Sequence, residues 1–291
     1  MDLSSKKVTW ISHPFPHAII DNFFPEDIFK QISSFSAENI TDLKRTFTSD
    51  LELNKKVFGI EGTNDVFRKP ISLMGKDEGK KLFKDLMNSE KIITLADHNN
   101  FAGYYPFHSS ANGGLLGSHI DHSNLGRNFH FANSIFFSHP KWKKEWGGET
   151  ILFNSSGFKP VSYVEPKPNR MVLFIHSNES FHGVKLISCP KDITRNSYYM
   201  DYYIQPEDIE NLNKNLRKIN LKRSLIFTYH RTTFLPLFPE GIHSFKISNL
   251  FRKTTLSYLI NYVIYRILKL RFLSYLRYLY LEKKPKKGIP S

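Results

Sequence analysis

The chain has 291 residues, 40% of them hydrophobic and 14% aromatic, which excludes a wholly disordered protein and allows one large core. Its formal net charge is +14, but residues 207–291 hold 17 Lys and Arg against 5 Asp and Glu, which leaves residues 1–206 close to neutral. The basic pI is therefore a property of the tail, and specific nucleic-acid binding is not expected. The single cysteine, Cys189, excludes an internal disulfide and favours a reducing, cytoplasmic location.

Residues 1–98 are interpreted as an N-terminal lead-in with supporting helices. The first 24 residues contain no apolar run of about 7–15 residues, so they do not predict a secretory signal. A short strand is predicted at 17–20. The proline and the acids of Pro25-Glu26-Asp27 predict the start of a helix that runs to residue 32.

Residues 37–78 are polar and carry clusters of charge, which predicts loop and short strands. This segment is either a lid over the site or a surface connector, and both interpretations stay open. Residues 78–93 predict a helix that packs on the sheet, because four apolar residues lie at the i, i+1, i+4 and i+5 positions of one helical stripe. These residues are Leu82, Phe83, Leu86 and Met87.

From residue 101 onward the apolar period changes to two, and short β-rich runs are separated by Gly, Pro and Asn. Short strands without βαβ alternation favour a mainly β fold, a double-stranded β-helix or jelly roll with flanking helices, and residues 99–206 are assigned to this core. The predicted strands are 101–106, 115–121, 131–138, 150–154, 161–165, 171–176, 183–188 and 196–204.

A candidate metal site begins at His119 and Asp121. Residues two apart in a strand point to the same face, so an imidazole and a carboxylate project together. An iron centre of the two-histidine-one-carboxylate type needs one more histidine and leaves open positions for cosubstrate and oxygen. His182 is the best candidate for this ligand and His176 is its rival. The same alternation puts a guanidinium and a hydroxyl on one face in Arg195-x-Ser197, which suits a carboxylate.

The order of these motifs resembles the prolyl 4-hydroxylase-like branch of the 2-oxoglutarate and Fe(II)-dependent dioxygenases, over residues 90–206. In this family the distal histidine is followed by Gly-Val and precedes the arginine by a similar spacing, which favours His182 over His176. The pieces that carry the resemblance are Gly103-Tyr104-Tyr105-Pro106, His119-x-Asp121, Ser134-Ile135-Phe136-Phe137, Trp146-Gly147-Gly148-Glu149-Thr150, Met171-Val172-Leu173-Phe174, His182-Gly183-Val184 and Arg195-x-Ser197.

The resemblance implies an enzyme that uses Fe(II), 2-oxoglutarate and O2, with ascorbate as an accessory reductant. The implied metal ligands are His119, Asp121 and His182. The implied cosubstrate contacts are Arg195, Ser197 and Tyr105, with Tyr104 as the alternative to Tyr105.

The implied reaction is hydroxylation of an unactivated C–H bond, with release of succinate and CO2. Related halogenases replace the metal-binding carboxylate with a small residue, so the retained Asp121 favours hydroxylation. The acceptor is either a peptidyl proline or a small molecule or glycan, and no motif in the sequence selects among them. The alternative function is a catalytically silent jelly-roll binding module.

Residues 207–291 are interpreted as a basic, helical C-terminal extension. Its uncharged, apolar and aromatic part, 254–265, has 12 residues and is too short to span a bilayer, which takes about 20. One interpretation is peripheral contact of residues 241–291 with an anionic membrane, at the inner membrane surface. The other is that this segment packs on the core or on a second subunit, and both stay open.

Overall fold

The computed structural model of this protein describes most of the chain as one β sheet with helices packed on it. The described residues are 6–35, 40, 42–49, 51–59, 63, 65–94, 105–122, 124–125, 128–221, 232–235, 253–268, 270, 273 and 276. Their strands are β1 (His17–Ile20), β2 (Leu43–Ser49), β3 (Glu52–Phe58), β4 (Phe107–Ile120), β5 (Asn124–Leu125), β6 (Asn128–Phe137), β7 (Thr150–Phe153), β8 (Pro160–Val164), β9 (Met171–Ile175), β10 (His182–Val184), β11 (Arg195–Ile204) and β12 (Thr233–Phe234). Their α-helices are α1 (Glu26–Ser33), α2 (Asp65–Gly75), α3 (Asp77–Lys80), α4 (Ile209–Lys218) and α5 (Lys253–Leu268).

The strands form an antiparallel sheet in the order β1-β9-β6-β11-β4-β10-β7-β8, with β3 and β12 also on β4. Strands that are far apart in this order share one core. Phe174 of β9 packs in the same apolar cluster as Leu152 of β7 and Val164 of β8. The sheet therefore curls over on itself, and the predicted jelly-roll class is confirmed.

Helices α1, α2 and α4 cover the outer face of the curled sheet, and β11 shows how strand alternation separates the two faces of the sheet. Tyr198, Met200 and Tyr202 are buried in the outer core with apolar residues of α1, α2 and α4. Arg195 and Ser197, on the alternate positions, line a cavity inside the curl. Period-two patterning thus gives β11 one face for stability and one for chemistry.

The predicted helix over 78–93 is wrong. This segment contains only the one-turn helix α3, followed by 3-10 turns at Lys81–Phe83 and Ser89–Lys91. A Cβ at Gly79 would lie 2.0 Å from the carbonyl oxygen of Met74, so the chain folds back tightly against the end of α2 at this glycine. The apolar stripe is nevertheless buried in the outer core.

Helix α2 lies in the segment 37–78, for which only loop and short strands were predicted. Pro70 lies inside α2, and an internal proline normally predicts a break because it lacks an N–H donor. Phe67, Ile71 and Met74 are each 1% exposed or less, at the spacing of one helical face. Burial of this face against the sheet compensates for the proline.

The first strand and the first helix form where they were predicted, as β1 and α1. Seven of the eight core strands correspond to β4 and to β6 through β11, whereas residues 101–104 of the remaining one lie outside the described residues. β1, β2, β3 and β12 come from outside 99–206 and join the same sheet. Within the described ranges, no helix has the length and apolar character that crossing a membrane requires.

Candidate functional site

Three side chains with metal-binding chemistry meet inside the curl. His119 lies near the end of β4, Asp121 follows that strand, and His182 begins β10, where it pairs directly opposite His119. Asp121 Oδ1 lies 3.4 Å from His119 Nε2, and Asp121 Oδ2 lies 3.3 Å from His182 Nε2. The three donor atoms lie within 4.8 Å of one another. The β4–β10 register therefore places all three around one point.

Both imidazoles are oriented by the backbone. His119 Nδ1 lies 2.9 Å from the carbonyl oxygen of Gly117, and His182 Nδ1 lies 3.0 Å from that of Ser180. A carbonyl only accepts, so each Nδ1 carries the proton and each Nε2 presents its lone pair to the shared point. Burial, and then His182, lower the pKa of His119, which keeps this ring neutral and able to bind a cation.

Asp121 is held in place by a buried amide. Asn133 is fully buried on β6, and its Nδ2 donates to Asp121 Oδ2 at 3.3 Å and to Asp201 Oδ1 at 2.9 Å. Tyr199 Oη donates to Asp121 Oδ2 at 3.4 Å. Burial opposes ionisation of Asp121, but the imidazoles of His182 and His119, in their protonated forms, outweigh it and hold the pKa of this carboxyl well below its usual range. The carboxylate is therefore ionised and fixed in orientation.

Residues 104–200 match the family model of the 2OG-Fe(II) oxygenase superfamily. The match contains the complete cluster of His119, Asp121 and His182. This segment is a 2OG-Fe(II) oxygenase domain. No curated protein matches the chain.

Several solved structures are similar to the oxygenase. A prolyl-4-hydroxylase from Pseudomonas putida is 15% identical, with a TM-score of 0.46, over 65% of this chain and 92% of that chain. A prolyl hydroxylase from Trichoplax adhaerens, in complex with a peptide fragment of the hypoxia inducible factor oxygen degradation domain, is 16% identical, with a TM-score of 0.45. The similarity covers 66% of this chain and 84% of that chain. HygX from Streptomyces hygroscopicus, with nickel and 2-oxoglutarate bound, is 14% identical, with a TM-score of 0.45, over 65% and 82%.

The donor set of the oxygenase fits Fe(II). Two imidazole nitrogens and one carboxylate form the facial arrangement typical of non-haem iron, which leaves positions open for 2-oxoglutarate and O2. The backbone carbonyls on each Nδ1 and Asn133 on the carboxylate supply the outer hydrogen bonds that such ligands usually have. His119, Asp121 and His182 are thus the residues that would hold the iron of this superfamily.

His176 lies outside this cluster. Its ring stacks on that of His130, with the centroids 4.5 Å apart and the planes at 16°. His130 Nε2 in turn lies 3.1 Å from Asp201 Oδ1. Burial, and then His130, lower the pKa of His176 well below its usual value. His176 is therefore a neutral ring packed behind the metal cluster, on the side of Asp201.

Arg195 and Ser197 line the same cavity of about 440 Å³ as the metal cluster. The Arg195 guanidinium is buried, and it donates from Nε to the carbonyl oxygen of Gly148 at 2.8 Å and from Nη2 to Thr150 Oγ1 at 3.1 Å. Gly148 has φ +73°, and a Cβ there would lie 3.3 Å from Arg195 Cδ, so glycine leaves room for this side chain. Burial lowers the pKa of Arg195 to about 10, and the group stays cationic at neutral pH.

Tyr105 does not lie beside Arg195. It precedes β4, is 38% exposed and is not part of the cavity wall, while Tyr104 lies outside the described residues. The strand register places His108 opposite Ser197 and Ser110 opposite Arg195, and both side chains line the cavity. Burial, and then Lys55, lower the pKa of His108 well below its usual value, so this ring is neutral.

Other cavity residues were missed from the sequence, although some followed a readable pattern. Tyr199 and Asp201 continue the alternation of Arg195 and Ser197 along β11, and both line the cavity. Asn133, which donates to Asp121 but is not part of the cavity wall, followed no readable pattern, because only the pairing of β6 with β11 places it opposite Asp201.

The β2–β3 hairpin forms another wall of the cavity, through Arg45, Phe47, Glu52 and Lys55. Arg45 and Lys55 both lie over the Phe47 ring, at 4.4 and 5.0 Å from its centroid. The segment 37–78, whose sequence fitted either a lid or a connector, thus contributes directly to the site.

Proposed function

We propose that the oxygenase hydroxylates an unactivated C–H bond of an organic acceptor, with conversion of 2-oxoglutarate and O2 into succinate and CO2. One oxygen atom of O2 enters succinate and the other enters the new hydroxyl group. The observation that carries this proposal is the position of a two-histidine-one-carboxylate cluster and a buried guanidinium in one cavity.

Each element of the site has a defined task in this proposal. Bound Fe(II), with 2-oxoglutarate and O2, supplies the oxidising chemistry. Arg195 receives the far carboxylate of 2-oxoglutarate, and Ser197 adds a hydroxyl donor on the same face of β11. The Arg195 guanidinium is already oriented by its hydrogen bonds to Gly148 O and Thr150 Oγ1, so the side chain loses little conformational freedom when 2-oxoglutarate binds. We expect ascorbate to sustain turnover by keeping the iron reduced.

Asp121 decides between hydroxylation and halogenation in this proposal. Its carboxylate would take the metal position that a halide would otherwise need, and the hydrogen bonds from Asn133 and Tyr199 fix its orientation. The acceptor is a peptidyl proline or a small molecule or glycan, which would enter beside the wall formed by Arg45 and Phe47.

The test is succinate formation from 2-oxoglutarate by the full chain, with Fe(II) and without added acceptor. We expect succinate to depend on Fe(II) and to be abolished in Asp121→Ala and His182→Ala, because each removes one of the three protein ligands. His176→Ala is the matched control, since it removes a buried histidine outside the cluster. Co(II) binding, measured from the absorption spectrum of the bound ion, should likewise be lost in Asp121→Ala and His182→Ala and be retained in His176→Ala.

Two results would overturn the proposal. Bound metal and 2-oxoglutarate without any succinate would indicate the silent binding module. Loss of Co(II) binding in His176→Ala, with retention in His182→Ala, would remove His182 from the metal site.

A further inference from the structure

Helix α5 is attached to the oxygenase domain through one face. Tyr265 is 1% exposed, and its Oη donates to the carbonyl oxygen of Asn178 at 2.7 Å. Its ring meets that of Phe181 edge to face, with the centroids 6.1 Å apart. Phe181 directly precedes His182, so α5 packs against the segment that carries a metal ligand. A buried hydroxyl with a hydrogen-bond partner makes this a specific contact.

The opposite face of α5 is an exposed apolar stripe. Leu256, Ile260, Val263 and Ile267 are 57%, 52%, 49% and 50% exposed. Their spacings of four, three and four residues align them along one side of a helix with about 3.6 residues per turn. Tyr265 lies about half a turn away from this stripe. Packing of α5 on the core therefore leaves its aliphatic side in solvent.

The exposed apolar side chains of the described residues are concentrated on this stripe and beside it. Of the 14 exposed large hydrophobic side chains there, 8 lie between residues 256 and 276. They are Leu256, Leu259, Ile260, Val263, Ile264, Ile267, Leu270 and Leu276. Contiguous exposure of this kind marks a binding surface, because each aliphatic side chain gains free energy when it leaves water.

The charge of the surrounding sequence selects the partner. Residues 241–291 hold 11 Lys and Arg and a single acid, Glu282, and the side chain of Arg266 is exposed on α5 itself. A second copy of the chain would bring two such tails together and repel them. An anionic bilayer offers apolar depth for the stripe and negative headgroups for the bases.

We propose that the stripe of α5 docks the protein on an anionic lipid bilayer, with the helix lying in the interface. The uncharged part of the segment, 12 residues, is too short to span, which fits an interfacial position. The two interpretations left open by the sequence then describe opposite sides of one helix. Tyr265 packs on the core, and the stripe binds the bilayer. The oxygenase would work at a membrane surface.

The test is co-sedimentation of the full-length protein with phosphatidylcholine vesicles, with and without phosphatidylglycerol, at low and high salt. The variant is Ile260→Gln with Val263→Gln, since Gln is a good helix former. The control is Leu186→Gln, which changes an aliphatic residue that is 42% exposed on another part of the surface. Circular dichroism melting confirms that each variant is folded.

We expect binding to anionic vesicles that weakens at high salt, with little binding to neutral vesicles. The double variant should lose at least about tenfold in partitioning, whereas Leu186→Gln should bind as the wild type does. Three results would overturn the proposal. They are absence of binding to anionic vesicles at low salt, equal binding by the double variant, and a stable dimer that the double variant dissociates.

Discussion

Replacement of Arg195 by glutamine tests whether this side chain binds 2-oxoglutarate. Arg195 is 5% exposed, and the two acceptors of its guanidinium, Gly148 O and Thr150 Oγ1, are uncharged. A carboxylate that enters the cavity would therefore meet a fixed cation in a poorly solvated site. A hydrogen bond to a charged group contributes about 1.5–3 kcal/mol, which corresponds to about 10- to 150-fold in affinity.

The assay is succinate formation as a function of 2-oxoglutarate concentration, with Co(II) binding measured in parallel. Arg195→Gln should raise the 2-oxoglutarate requirement by about 10- to 150-fold and leave Co(II) affinity unchanged, because Arg195 is not one of the clustered metal-binding side chains. Arg195→Lys should recover part of the loss, since it keeps the charge but not the fork of donors. Thr150→Val should have a smaller effect, because it removes one orienting acceptor and leaves the cation in place.

An unchanged 2-oxoglutarate curve in Arg195→Gln would refute this reasoning and remove Arg195 from the cosubstrate site. A loss of Co(II) binding of the same size as the loss for 2-oxoglutarate would also refute it, because the substitution would then act through the metal cluster. The Phe137 ring lies 4.7 Å from the guanidinium, so thermal melting must show that the variant keeps its packing.

Asn133→Ala should weaken Co(II) binding by about 10- to 100-fold, because it removes the donor that orients Asp121, and Asn169→Ala, at another buried asparagine, should leave the affinity unchanged. Equal affinities in isothermal titration of the two variants would contradict this role. Burial lowers the pKa of His139 from 6.5 to about 4. Between pH 6.5 and pH 4 the unfolded chain therefore binds more protons than the folded chain, and the free energy of unfolding decreases as the pH falls through this range. In urea unfolding, the free energy of unfolding of the wild type should fall by about 3 kcal/mol between pH 7 and pH 4, and that of His139→Gln should not show this fall. An equal fall in both proteins would contradict the prediction.

Local pattern was sufficient for much of the fold and for part of the site. Period-two alternation predicted the strands from β6 to β11 and placed Arg195 and Ser197 on one strand face. The structure contains these strands, and both side chains line the same cavity. Extension of the same alternation by two more steps would have included Tyr199 and Asp201. These features could be predicted because alternation is a property of the strand backbone itself.

Local pattern failed where packing outweighed propensity. The stripe at 78–93 has a helical spacing, yet the segment forms a one-turn helix and 3-10 turns whose apolar side chains are buried in the outer core. Pro70 argues against a helix, yet the burial of Phe67 and Met74 keeps α2 intact. In both segments the favourable free energy comes from contacts distant along the chain.

The sequence by itself determined the chemistry that the chain carries: an imidazole and a carboxylate on one strand face, further histidines, a guanidinium beside a hydroxyl, and a basic tail with an uncharged apolar part. Only the tertiary structure decided which of these groups meet. The β4–β10 register brings His182 to His119, and the pairing of β4 with β11 brings His108 to Ser197 while Tyr105 stays outside the cavity wall. The physical reason is that strand pairing depends on hydrogen bonds and side-chain burial between segments far apart in sequence, which no local period encodes.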